Sequence, residues 1–99
     1  MKYVVSWETR QTASEELQAR GLQVFSKWSP SPQATFKEFV GRVDGRGGFA
    51  VIEADNPAVV ARDMAIFGAF FDMTVYPVME VAETAGIAAE AVEFRSSIS

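Results

Sequence analysis

The chain has 99 residues, 48% apolar and 22% charged, which suits one compact domain near the small end of what a single core can hold without staples, and leaves no room for a second. It contains neither cysteine nor histidine, so disulfides, thiolate ligands, an imidazole base and the commonest metal ligand are all excluded. The net charge of −4 is uneven: residues 1–49 carry seven Lys/Arg against five Asp/Glu, and residues 50–99 carry two against eight, a balance that repels nucleic acid phosphates and anionic lipid heads.

The opening Val4-Val5 is too brief an apolar run for a signal peptide or a membrane span, so a cytoplasmic location is expected. Lys2 to Glu8 is rich in β-formers and reads as a first strand, with Tyr3, Val5 and Trp7 on one face. Thr12 and Glu15 have the spacing of a capping box at the start of a helix running to about Trp28. Its Leu17, Phe25 and Trp28 stripe is expected to face the sheet, and Gly21 weakens its middle by roughly 1 kcal/mol relative to alanine. Ser29-Pro30-Ser31-Pro32 ends it, because proline lacks an N–H and pushes its predecessor out of the helical region.

Ala34 to Val43 reads as a second strand, and the charges Lys37, Glu38 and Arg42 among Phe36, Phe39 and Val40 suggest a sheet edge. Asp44 to Gly48 then forms a hairpin turn into a third strand, Phe49 to Ala54. The strongest local signal follows: Asp55 or Asn56 as N-cap and Pro57 at the first helical position, where its missing N–H has no intrahelical partner to lose. The spacing predicts a helix over residues 58–71, with Val60, Met64, Phe67 and Phe71 on one side. Asp72 to Val81 alternates as a fourth strand, and Pro77 argues for an edge or a bulge. Ala82 to about Phe94 reads as a third helix; residues 1–95 form one domain and residues 96–99 a flexible tail.

The order β-α-β-β-α-β plus a helix is that of an α+β, ferredoxin-like sandwich: an antiparallel four-stranded sheet, strand order 4-1-3-2, with two helices on one face and an extra C-terminal helix. Strands one and three are apolar on both parities, so the uncovered face needs a partner. A homodimer packed sheet against sheet is the expected solution.

Lys2-Tyr3-Val4-Val5-Ser6-Trp7, Phe25-Ser26-Lys27-Trp28, Gly48-Phe49-Ala50-Val51-Ile52-Glu53-Ala54-Asp55-Asn56-Pro57 and Tyr76-Pro77-Val78 together resemble the bacterial family known as domain of unknown function 3303. The likeness spans roughly residues 2–82. It implies a ferredoxin-like subunit of the dimeric α/β-barrel type and brings no established activity. Many members of that family carry tryptophans in the second helix, where this chain has Asp63 and Phe67, a departure that would alter ligand preference if those positions line a pocket.

Glu53, ending an otherwise apolar strand, is the one weak candidate for a catalytic carboxylate with a raised pKa. The ordinary alternative is an ion pair: an odd-length hairpin loop such as Asp44-Gly45-Arg46 sets Lys37 opposite Glu53 and Gly41 opposite Phe49, and structural pairs outnumber catalytic acids. Tyr3, Trp7, Phe49, Phe67 and Tyr76 join Glu53 as candidate pocket residues, since aromatics with one polar handle suit a small-molecule cavity. Trp28, beside prolines, reads instead as a cap over the edge of the core. Gly45 to Gly48 joins two strands and so is no phosphate loop, and nothing resembles a calcium loop. No cofactor or metal is expected.

These readings favour a dimeric α/β-barrel protein binding a small apolar or aromatic ligand, with its pocket between sheet and helices or at the dimer interface. A cofactor-independent monooxygenase or isomerase, with Glu53 as base and an aromatic or polyketide-like substrate, is the alternative that fold analogy raises. A structural or regulatory subunit is the third. Haem degradation on this architecture normally uses a histidine ligand, which the chain lacks. No nucleic acid or membrane partner is expected.

Overall fold

Strand β1 (Lys2–Thr9) lies inside a four-stranded antiparallel sheet between β3 (Gly47–Ala54) and β4 (Phe71–Val78), and β2 (Ala34–Gly41) forms the far edge. The helices are α1 (Glu15–Lys27), α2 (Pro57–Phe67) and α3 (Val81–Ile98). The computed structural model describes residues 1–10 and 14–98. The sheet order β2-β3-β1-β4 is the expected 4-1-3-2, and the fold is α+β with the ferredoxin-like element order followed by one more helix.

Local chemistry accounts for most boundaries. The expected cap Thr12 lies outside the described residues; Ser14 fills the role, its Oγ accepting from the Leu17 N–H at 3.1 Å. Asn56 caps α2 by accepting from the Ala58 N–H at 2.9 Å, with Pro57 at the first turn. That helix ends at Phe67, four residues before the point its apolar run suggests. Gly68 closes it with an N–H donated to the Met64 carbonyl, a turn covers residues 68–70, and Phe71 begins β4. Pro77 sits on β4, an outer strand with one unpaired side, which tolerates a missing donor. The final helix continues through Ile98, past the point where a tail was expected.

Alternation along the strands sends Tyr3, Val5 and Trp7 of β1 and Gly48, Ala50, Ile52 and Ala54 of β3 to the face that carries α1 and α2. Tyr3, Val5, Ala50, Ile52 and Ala54 form the core with Val59 and Val60 of α2. Burying one such side chain stabilises the fold by roughly 1.5–3 kcal/mol before entropy is counted. The opposite face carries Val4, Val51, Phe49, Val40 and Tyr76, of which Phe49, Val40 and Tyr76 are exposed. The third helix buries none of its residues, so its expected Val81, Ala85, Ala88 and Val92 stripe stays exposed.

Two features of the β2–β3 hairpin matter for the site. Its register differs from the expected one: Gly41 faces Gly48, and Thr35, not Lys37, faces Glu53. Gly47 and Gly48 therefore belong to the strand, and the turn uses Gly45 at φ 74°. Lys37 is the extra residue of a β-bulge between Phe36 and Glu38. Phe36 and Phe39, three apart and thus on opposite faces of a regular strand, are both brought to the helix side by that bulge, facing Ile52 and Ala50.

A candidate aromatic chamber beneath the first helix

A cavity of about 570 Å³ lies between α1 and the helix-bearing face of the sheet. Its floor is Val5, Trp7, Ala50 and Met73 of the sheet, with Phe36 and Phe39 beside them. Leu17, Leu22 and Phe25 of α1 roof it, Met64 and Phe67 of α2 close one side, and Phe70 and Phe71 come from the turn and the start of β4. The expected α1 stripe does face the sheet, but across an open space: Leu17 and Trp28 are half-buried and Phe25 remains exposed.

Rings dominate the lining. Trp7 meets Phe39 edge to face with centroids 5.5 Å apart, and Phe36 lies 5.2 Å from Phe39. Trp28 meets Phe67 at 5.1 Å and 86°, and Phe25 lies 6.1 Å from Phe39 and 6.2 Å from Phe67. Trp7 is seated by a close approach of backbone: a Cβ on Gly48, its partner across the ladder, would lie 2.3 Å from the Trp7 ring and 2.3 Å from the Val40 carbonyl oxygen. Only glycine leaves that space. Gly21 on α1 differs from Gly48: it lies against Phe70, but an added Cβ would meet the Phe70 Cγ at 3.6 Å, an ordinary contact that leaves room for a side chain.

Glu15, exposed at the start of α1, is the one ionisable residue among the lining. Thr9 and Ser14 are already engaged, Thr9 Oγ1 donating to the Arg46 carbonyl at 3.2 Å and Ser14 Oγ accepting from Leu17. The segment after α1 is held by Asp63, a buried carboxylate that accepts from the Ser31 N–H at 3.1 Å and from Ser31 Oγ at 2.9 Å. Asp63 thus clamps a loop and does not face a ligand, and this bonding supplies the partners that burial of a carboxylate requires.

The sheet divides the six residues expected to share a pocket. Trp7 and Phe67 line the chamber. Tyr3 is on the same side but inside the core, 3% exposed, its hydroxyl donating to Met1 Sδ at 3.7 Å. Phe49, Glu53 and Tyr76 have the other parity and lie on the opposite face. Glu53 is solvated there and pairs with Lys37, Nζ to Oε2 3.5 Å, reached diagonally because the bulge displaces Lys37 from the ladder. An exposed pair of this kind contributes about 0–1 kcal/mol. Phe25, Trp28, Phe36, Phe39, Met64 and Met73 also line the chamber without having been named as pocket candidates: periodicity placed Phe25, Trp28 and Met64 on inward stripes, but their convergence with Phe36 and Phe39 depends on the bulge and on how far α1 stands from the sheet.

Among the described residues no group of three or more acidic side chains is placed to hold a metal, and no helix is long and apolar enough to cross a membrane. The chain matches the family described as Domain of unknown function (DUF3303) over residues 1–92, and it belongs to that family. No curated protein matches it.

Proposed function

We propose that this member of the family is a binding protein that takes one small apolar or aromatic molecule into the chamber beneath α1 and works as a homodimer joined through the open face of its sheet. The chamber carries the ligand reading. Its volume of about 570 Å³ falls in the range of roughly 300–1,000 Å³ found for small-molecule sites, and its walls are mainly aromatic rings, aliphatic side chains and thioethers, with Thr9, Ser14, Glu15 and Gln18 as the polar side chains among them. With Glu53 on the far face and paired to Lys37, the chamber has no carboxylate base from that strand, which is why binding is favoured over the enzyme alternative.

The dimer reading rests on what the chain leaves uncovered. Phe49, Val40 and Tyr76 are exposed on the open sheet face, and α3 exposes Val81, Ile87, Val92, Phe94 and Ile98. Exposed apolar side chains in this number mark an interface in a water-soluble protein. A second copy offers the matching surface by symmetry.

Sedimentation equilibrium with the neutral fluorophore phenylnaphthylamine tests both parts. The expected result is a mass twice the 10.8 kDa of the chain, with saturable uptake of one fluorophore per chain and energy transfer from Trp7 and Trp28. A mass of one chain at micromolar concentration overturns the dimer. Absence of uptake overturns the chamber as a binding site.

A further inference from the structure

We infer, taking the chamber as a ligand site, that its ligand is an amphiphilic amine, with an apolar body among the aromatic rings and an ammonium head at the opposite end, beside Glu15 and Gln18. The lining is divided along its length. Its polar side chains, Thr9, Ser14, Glu15 and Gln18, come from the end of β1 and the start of α1, and Gly45 of the β2–β3 turn joins them. Thr9 has the parity of Val5 and Trp7, and its N–H and Oγ1 both donate to the Arg46 carbonyl, at 2.8 and 3.2 Å, which ties β1 to that turn. The rings collect at the other end, where Phe25 and Trp28 of α1 meet Phe36, Phe39 and Phe67.

The two ends are well separated. Phe36 faces Ile52, which faces Tyr3, and from Tyr3 to Thr9 is about 20 Å of extended strand. Along the roof, Ser14 to Phe25 is about 16 Å of helix. Glu15 and Gln18 are exposed as well as lining the chamber, so the polar end is in contact with water. An apolar group pressed against them would displace that water without replacing its hydrogen bonds, whereas the ring end has only apolar surface to offer. A molecule that spans the chamber is therefore held in one orientation.

The charge of the head follows from what faces it. Glu15 can only accept hydrogen bonds, Thr9 Oγ1 has committed its proton to the Arg46 carbonyl, and Gln18 offers an amide oxygen. Among the described residues no lysine or arginine lines the chamber. Arg10, next to Thr9, is turned to other work: it donates to the Gly68 carbonyl and pairs with Asp72 at 3.5 Å. The positive end of α1 favours anions, but Glu15 and Glu16 in its first turn already answer it. A carboxylate or phosphate head would thus meet a negative charge and no counter-charge, while an ammonium ion meets a carboxylate and neutral acceptors.

Three probes of one shape test this on the full chain in about 0.15 M salt, where exposed charges beyond about 8 Å are largely screened. They are naphthylbutylamine, naphthylbutanol and naphthylbutanoate, which are cationic, neutral and anionic near neutral pH. Calorimetric titration is expected to give the amine about three-fold tighter binding than the alcohol, the scale of an exposed ion pair, and the carboxylate the weakest. Glu15→Gln is expected to bring amine and alcohol together. Glu16→Gln, which removes the same charge from the same turn at a position outside the lining, is expected to keep them apart. Nuclear Overhauser contacts are expected from the naphthalene protons to Phe39 and Phe67, and from the methylene beside the nitrogen to Gln18. A carboxylate that binds as tightly as the amine, an amine preference that survives Glu15→Gln or is lost equally in Glu16→Gln, or naphthalene contacts at Gln18 overturns the inference and leaves the chamber standing. If all three probes fail while phenylnaphthylamine enters, the inference falls alone; if that fluorophore fails too, the chamber reading falls with it.

Discussion

Helix α2 buries Val59, Val60, Asp63 and Phe67, whereas α1, of similar length and on the same face of the sheet, buries Gly21 alone. The residues beneath and beside them explain the difference. Below α2 the sheet offers Ala50 and Ala54, small enough for valines to settle against the backbone. At its C-terminal end α1 meets Phe36, Phe39 and Phe67 through Phe25 and Trp28, and these tilted and edge-to-face rings hold helix and sheet apart. One helix thus completes the core and the other roofs a chamber. An apolar stripe brings a helix to a sheet, but the size of the groups between them decides whether the contact is filled.

Removing side chains from the two regions should separate them most clearly. Ile52→Ala, in the core shared with α2, is expected to cost about 2–5 kcal/mol in urea unfolding. Leu22→Ala on α1, where the side chain is 64% exposed, is expected to change stability by less than about 0.5 kcal/mol. Equal losses from both would abolish the distinction between core helix and roof helix.

A smaller effect of opposite sign is expected at Gly21. A Cβ there meets Phe70 at 3.6 Å, an ordinary contact, so Gly21→Ala should gain up to about 1 kcal/mol from helix propensity alone. A destabilised variant would show that α1 lies closer to the sheet than 3.6 Å allows.

The smallest effect concerns the link between β1 and the start of α3, the pair Lys2–Glu80 at 2.6 Å. The side-chain hydrogen bond between them, followed by their mutual attraction, lowers the Glu80 pKa from 4.5 and raises that of Lys2 from 10.5. Glu80, being depressed, contributes stability above 4.5 that is lost as pH falls through its folded value; Lys2, being raised, contributes below 10.5 and loses it as pH rises through its folded value. Thermal unfolding of the protein against Glu80→Gln should therefore differ slightly near neutrality and converge at both extremes. A difference that persists in strong acid would assign the effect to something other than this pair.

Much of the architecture was legible because it depends on signals acting over a few residues. Asn56-Pro57 marks a helix start whatever surrounds it, since a cap oxygen and a fixed φ are local properties. Apolar residues on both parities of Lys2 to Glu8 and Phe49 to Ala54 implied strands with two apolar faces, and both lie in the middle of the sheet. The C-terminal limit of α2 was not legible, because Phe70-Phe71 continues the apolar run and the helix yields only to Gly68 and the pairing of Phe71 with Thr9. The candidate site was legible in part: Trp7 and Phe67 carry the right parity, while Phe49, Glu53 and Tyr76 share composition with a pocket but not a face.

Taken alone, the sequence determined the element order, the interior position of β1 and β3, the cap of α2 and the absence of histidine and thiol chemistry, all of which follow from residue type and short-range periodicity. The tertiary structure alone decided that Lys37 bulges out of the ladder, that Phe36 and Phe39 consequently point the same way, and that α1 stands clear of the sheet over a cavity. A bulge depends on the partner strand and a cavity on the mismatch between packed surfaces; neither is encoded in any window of neighbouring residues.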